Sequence, residues 1–390
     1  MNAIEQSNIL DLRRSQVSSR LDMEPISASV LVDDEFKRRN TLKALGPFRT
    51  GCTGIDDYVL MGGLERGSVV GISAEEEDIG LKLGLQTLVG ELCAGQDRRA
   101  LIVTPNPAGA ILSALRAVLK TELKQQQQKQ QVSMNDCLDR TMLSCVFDLD
   151  GLEEVLADLD GRHEPSSPPP PSPEAARSPS AISEVGDSQD EDALSPLVAA
   201  SPPPPPPQRA AKKPSSSASL PHIILVTHFT TFMTSLFTQR DSAAAHAALH
   251  LLGSHLRRLS RTLPSSPLVL LLNTTTTAAA DAAPLDSTLR SVFAASRRVK
   301  PKFGLVFSRL LDLHLLGARV ARQEEEEGAG TSGDRSAGYI TVLEVLLDEL
   351  GLWEGKLGPR RSREQRWGAV VVENGRVSDA FSTMTQGRVS

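Results

Sequence analysis

Four consecutive acids, Glu75, Glu76, Glu77 and Asp78, stand between a short Val/Ile run and a leucine-striped stretch of this 390-residue chain. Carboxylates in that number can hold cations, complement the positive end of a helix dipole, or repel an anion. Two unit charges about 4 Å apart interact by roughly 4 kcal/mol at an effective dielectric of about 20, so the group opposes a polyphosphate at this place. Three polar residues follow apolar runs: Asn106 shortly after 101–103, Thr227 after 223–226, and Asn273 after 268–272. Cations gather as Arg257, Arg258 and Arg261, as Arg297, Arg298, Lys300 and Lys302, and as Arg360, Arg361, Arg363 and Arg366. Such runs are either solvated faces or salt-sensitive, sequence-independent contacts with a DNA backbone or a protein partner. The cysteines, Cys52, Cys93, Cys137 and Cys145, form no C-x-x-C pair and have no histidines at zinc spacing. Three lie in apolar surroundings typical of buried thiols, and the reading is a reducing compartment with no metal.

The elements that hold these residues follow from the apolar pattern. Residues 68–73 read as a strand, followed by a helix with Leu81, Leu85, Leu88 and Leu92 on one stripe. Further strands are expected at 100–104, 143–147, 223–226, 268–272, 304–316, 338–346 and 368–372, with Asn374 and Gly375 as a tight hairpin turn. Helices are expected from Ala108 to about Leu123 and along the stripe Leu249, Leu252, Leu256, Leu259, Leu263. Continuous Val/Ile/Leu strands alternating with helices predict an α/β fold, a mostly parallel sheet covered on both faces with antiparallel strands at its C-terminal end. Residues 1–46 are a polar lead-in with at most one helix. The core has two halves, 47–160 and 221–380, and 381–390 form a tail. Between the halves, 161–220 is rich in Pro, Ser and acids, a composition that cannot offset its ordering entropy and predicts a disordered insertion. Hydrophobic residues at 40% and charged ones at 23% are ordinary for a globular chain. A net charge of -6 supplies no global basic field, so any nucleic-acid contact must be local. No apolar stretch reaches membrane-spanning length and no secretory leader opens the sequence, which reads as cytosolic or nuclear.

The segment 50–67, TGCTGIDDYVLMGGLERG, runs straight into the first strand. The form T-G-x-x-x-(I/L)-D, then G-G-(L/I)-x-x-G and a strand, resembles the start of the ATPase core of RecA-like recombinases and their eukaryotic paralogs. The order of later segments, HIILVTHFTTFMTSLF, LVLLLN, KFGLVFSRLLDLHLL and GAVVVENGRVSDA, resembles the same family. The resemblance covers about 47–122 and 221–380. It implies a phosphate loop G-x-x-x-x-G-K-[ST] after the first strand, whose backbone amides and lysine would cradle phosphates. Counted from Gly67, that loop falls on Ala74, Glu75, Glu76, Glu77, Asp78, Ile79, Gly80 and Leu81, with Ala74 and Ile79 in place of the glycines, Gly80 in place of the lysine and Leu81 in place of the hydroxyl. Asn106 stands where the family has its water-orienting Glu, and Thr227 where it has the Mg²⁺-associated Asp. Asn273 alone keeps a polar residue at the position facing the γ-phosphate. Lys82 is two positions past the family lysine, about 200° around a helix, and is expected to point away.

These departures imply a degenerate nucleotide site with ATP and Mg²⁺ lost and no catalytic residue. The expected function is a non-catalytic recombinase paralog, a nuclear scaffold or mediator in homologous recombination and DNA repair. Its partner would be a recombinase or paralog subunit, with DNA contacted through local basic patches and no membrane. The segments that contact DNA in the family correspond to 238–241, very short, and 274–286, uncharged until Asp281. Two alternatives stand beside this reading: a RecA-like pseudo-ATPase subunit of an Elongator-type RNA-modification complex, and a DNA-dependent ATPase with an atypical site.

Overall fold

The computed structural model describes residues 26–126, 132–161, 220–277, 289, 291–293, 299–321, 339–350 and 366–381. The expected insertion at 161–220 lies, but for its two end residues, outside them. So do Arg297, Arg298, Arg360, Arg361 and Arg363. The chain is an α/β protein built on one mixed sheet. Its parallel strands are β1 (Val69–Ala74), β2 (Ala100–Thr104), β3 (Thr141–Cys145), β4 (Ile223–Val226), β5 (Leu268–Thr277) and β7 (Leu313–Ala321). Short β6 (Val299–Pro301) pairs only with the extension of β5. The strands β8 (Tyr339–Asp348), β9 (Trp367–Glu373) and β10 (Arg376–Asp379) add antiparallel, and the order across the sheet is β10-β9-β8-β7-β1-β5-β4-β2-β3. In this order β1 stands between β7 and β5, and β2 beside β4, so strands from before and after 161–220 make a single sheet.

The inner strands are apolar on both faces because helices cover both, as parallel sheets require. One face carries α2 (Glu77–Ala94), α3 (Ala108–Gln126) and α4 (Met134–Asp139); Leu85, Leu88, Leu92, Leu115 and Leu119 are buried there. The other carries α5 (Leu149–Gly161), α6 (Phe229–Gln239), α7 (Ser242–Thr262) and α8 (Gly304–Ser308), with the α7 stripe Leu249, Leu252, Leu256 and Leu259 buried as its spacing predicts. Helix α1 (Ala28–Leu45) precedes the sheet and buries no residue. Among the described residues, no helix is long and apolar enough to cross a membrane.

Two strand expectations are corrected. The run 304–316 is not one strand: Phe303 and Gly304 both adopt positive φ, and the chain turns into α8, which seats Phe307 against Phe229 before β7 begins at Leu313. The expected strand 143–147 begins two residues earlier and ends at Cys145, leaving the Phe147 side chain 79% exposed. Alternation of apolar residues locates buried segments but does not separate a short helix from a strand. Arg366 is also corrected as a member of an exposed basic run, because its side chain is buried and its Nη2 lies 2.6 Å from an Asp348 carboxylate oxygen.

The motif 50–67 is a structural clasp. The Asp56 carboxylate accepts from the Thr50 amide at 2.8 Å, the Thr50 hydroxyl at 2.9 Å and the Gly51 amide at 3.2 Å. Gln86 on α2 donates to the Thr50 carbonyl at 2.7 Å and accepts from the Val377 amide at 3.1 Å, stitching the motif to β10. Gly63 has φ 127°, and a Cβ there would lie 2.5 Å from the Phe48 carbonyl, so only glycine fits beside the Phe48–Leu64 bridge.

Candidate functional site

The carboxyl-terminal ends of parallel strands, with helix N-termini above them, are where open α/β sheets bind ligands. In this chain that edge is made by the ends of β1, β2, β4, β5 and β7. The turn from β1 to α2 is short: the strand ends at Ala74 and the helix begins at Glu77, with only Glu75 and Glu76 between them. Glu77, Asp78 and Ile79, which occupy positions of the sequence-predicted loop, are helical residues. The backbone therefore does not open into a cradle. The Glu75 amide is spent on the Gly317 carbonyl of β7 at 2.9 Å, and the Ile79 amide bonds the Glu76 carbonyl at 3.1 Å. Gly80 and Gly317 each face Ala74, at 3.6 and 3.4 Å from their ideal Cβ positions, so small residues let helix and strands close over the junction.

The four acids are held by separate partners. Glu75 accepts from the Arg319 backbone amide at 2.9 Å, and Glu76 lies 3.0 Å from the Arg319 guanidinium. Asp78 pairs with Lys82 one turn along α2, so Lys82 lies beside one of the four acids. Glu77 is 3.9 Å from the His228 imidazole and half exposed. Arg319 in turn stacks 4.4 Å over the Tyr339 ring.

Behind these acids the strand ends are joined by neutral polar groups. The Thr227 hydroxyl donates to that of Thr104 at 2.8 Å, and His228 Nδ1 is 3.0 Å from Thr227. His228 Nε2 meets the Asn106 amide nitrogen at 3.2 Å. Asn273 is buried: its Nδ2 donates to the Ser73 hydroxyl at 3.1 Å and to the Lys302 carbonyl at 3.0 Å, and its Oδ1 accepts from Thr230. Ser73 continues to His314 Nε2 at 2.9 Å, and His314 Nδ1 meets Ser308 at 3.1 Å. His314 is completely buried, and desolvation drives its imidazole down to about 3, so it stays neutral. Asn106 and Thr227 thus meet around His228, while Asn273 joins Ser73 and Thr230 along the same strand-end edge.

Sequence reasoning missed Ser73, His228, Thr230, Ser308 and His314 as members of this network. A lone histidine inside the apolar run LDLHLL and another just after the strand IILV are the signals that could have marked it. Of the predicted cationic contacts, Arg257 and Arg261 share Asp312, at 3.3 and 3.4 Å, and that carboxylate also accepts from the Val69 amide at 2.8 Å. Arg258 pairs with Asp160 at the end of α5. Lys300 lies on β6, and Lys302 lines a groove of about 380 Å³ with Thr230, Thr231, Thr234, Ser235 and Thr238. The first cluster is therefore bound into the fold, while Lys302 faces a hydroxyl-lined surface.

No model of a known protein family matches the chain, and no curated protein compared with it matches either.

Proposed function

We propose that this protein is a non-catalytic RecA-like recombinase paralog that acts as a scaffold or mediator in homologous recombination. The observation that carries this reading is the β1–α2 junction. Six parallel strands run in the order β3-β2-β4-β5-β1-β7, and at the position that the resemblance gives to the phosphate loop a two-residue acidic turn leads directly into a helix. The neutral caps Asn106, Thr227 and Asn273 support the same conclusion, since each stands at a strand end where the family has, or faces, nucleotide chemistry. A sheet kept whole around an unworkable nucleotide site is a surface retained for assembly. In this reading the partner is a recombinase or paralog subunit, and the chain requires neither ATP nor Mg²⁺.

Mg-ATP at millimolar concentration is expected to leave the melting temperature of the purified protein unchanged. A ligand at 100 times its Kd would add about 2.7 kcal/mol, several degrees in a domain of this size. A shift of that size would overturn the loss of nucleotide binding.

The assembly half is tested at the acids. Glu77 and Asp78 carry the test because their side chains are 49% and 66% exposed and their substitution leaves the Arg319 contacts of Glu75 and Glu76 in place. Glu77→Lys with Asp78→Lys is expected to leave the chain folded, at a cost of about 1–2 kcal/mol from the reversed charge at the helix start. It is expected to weaken binding to a recombinase-family subunit, most at low salt, because charge complementarity sets association rate and is screened over about 10 Å at 0.1 M. Titration at two ionic strengths measures this. Wild-type protein that binds no recombinase or paralog subunit, but enters an Elongator-type assembly, would replace the reading with its alternative.

A further inference from the structure

All four cysteines are free thiols, and the fold gives them different surroundings. Cys145 is exposed at the end of β3. Cys52 is buried and donates to the Val377 carbonyl at 3.1 Å, and desolvation pushes its pKa up to about 12, so it stays a thiol. Cys93, the residue before the last of α2, and Cys137 of α4 are 2% and 0% exposed and hydrogen-bond to each other, side chain to side chain. They stand 44 positions apart in the chain and meet only in the fold.

One arginine holds this meeting in place. Helix α4 has six residues, opened by the Ser133 hydroxyl accepting from the Asp136 amide at 3.1 Å, and Cys137 is its buried residue. Arg140, which ends the helix, sets its Nη2 3.5 Å from the Cys137 sulfur, and its Nη1 donates to the carbonyls of Gly95, just past α2, and of Arg98 at 3.2 Å. The guanidinium therefore joins the end of α2 to α4 beside the two sulfurs. An S–H donor and a positive charge both favour a thiolate. The hydrogen bond from Cys93 lowers the Cys137 pKa most, with Arg140 adding to it against desolvation, while its role as donor and its burial raise that of Cys93. One activated sulfur beside one that keeps its proton is the arrangement of an attacking and a resolving cysteine.

We infer that Cys93 and Cys137 form a reversible oxidation site, which closes to an intramolecular disulfide on meeting a hydroperoxide and reopens with a dithiol reductant. The Cys137 thiolate attacks a peroxide oxygen; the S–O bond forms, the O–O bond breaks, and hydroxide leaves and takes up the proton that Cys137 released. The Cys93 sulfur then attacks the sulfenic sulfur, the S–S bond forms, and the displaced hydroxyl departs with the Cys93 proton as water. Two thiols give two electrons to hydrogen peroxide, which ends as two waters. The oxidant reaches the sulfurs through local opening of α4, a short helix whose other side chains are exposed or half-buried. This inference is independent of the recombinase reading.

The test uses the full chain carrying Cys145→Ser, which removes the exposed thiol and its intermolecular disulfides. After hydrogen peroxide, the protein is blocked with iodoacetamide in urea, digested without reductant and read by mass spectrometry. The expected product is a peptide linked Cys93 to Cys137 that dithiothreitol releases, with Cys52 alkylated. Before reduction the melting temperature should rise by several degrees, because the bond closes a long loop of the unfolded chain. Arg140→Gln should slow formation of the link about tenfold and Arg140→Lys should restore most of the rate, since the lysine keeps the charge. Oxidation that stops at a sulfinic acid on Cys137, a link through Cys52 as the main product, or a folded protein in which no link forms would each overturn the inference. So would an unchanged rate in Arg140→Gln, because the attacking sulfur would then owe nothing to the guanidinium.

Discussion

Replacing Asp348 with alanine is expected to destabilise the protein by about 3–5 kcal/mol, a fall in melting temperature of roughly 10 °C. Its side chain is 0% exposed and that of Arg366 is 3%, and the two are joined at 2.6 Å. Arg366 also donates to the Val59 carbonyl at 2.8 Å, so the pair ties the end of β8 to the 50–67 motif. Removing the carboxylate takes a counter-charge from a guanidinium that is only 3% exposed. The large cost comes from that stranded charge and not from the net worth of the pair. Asp348→Leu combined with Arg366→Met should therefore be much milder than Asp348→Ala alone. Thermal or urea unfolding of the two variants beside the wild type measures this, and a double variant as unstable as the single one would refute the account.

The second large effect is acid sensitivity through His314. Its imidazole is completely buried between Ser73 and Ser308, and its folded pKa is pushed down from 6.5 to about 3. The unfolded chain takes up a proton at this residue below about pH 6.5 and the folded chain does not. The stability is thus fully present above pH 6.5 and is lost as pH falls through the window from 6.5 toward about 3. The slope should approach about 1.4 kcal/mol per pH unit from this residue alone. His314→Asn is expected to be less stable at pH 7.5, because it loses ring packing against Phe307, yet to decline less steeply between pH 6 and 4. Denaturant titrations at several pH values compare the two slopes, and equal slopes would show that His314 is protonated within the fold.

Much of the architecture was legible because it rests on local pattern. The stripe Leu249, Leu252, Leu256, Leu259, Leu263 has the spacing of a helix with one buried face, and the short Val/Ile/Leu runs at 100–104, 223–226 and 268–272 between helices read as strands buried on both sides. Asn374 and Gly375, at φ 52° and 78°, form the hairpin turn that their residue types require. The run 304–316 was not legible in the same way. Phe307, Leu310 and Leu311 are buried whether their segment is helix or strand, and the choice was made by contact with Phe229 and with Gly71 of β1, beside which Phe307 and Leu311 lie.

By itself the sequence determined that the β1–α2 junction carries four acids and none of the glycines, lysine or hydroxyl that a phosphate loop uses. Those are matters of residue identity, and no fold supplies a missing side chain. Only the tertiary structure decided how that junction is closed: a helix beginning at Glu77, the Glu75 amide turned to Gly317, and Arg319 brought from 244 residues away to bond Glu75. The same holds for Arg257, Arg261 and Arg366, whose charges look alike along the chain. Their partners Asp312 and Asp348 stand on other elements, and a charge becomes structural or available for binding according to what the fold sets beside it.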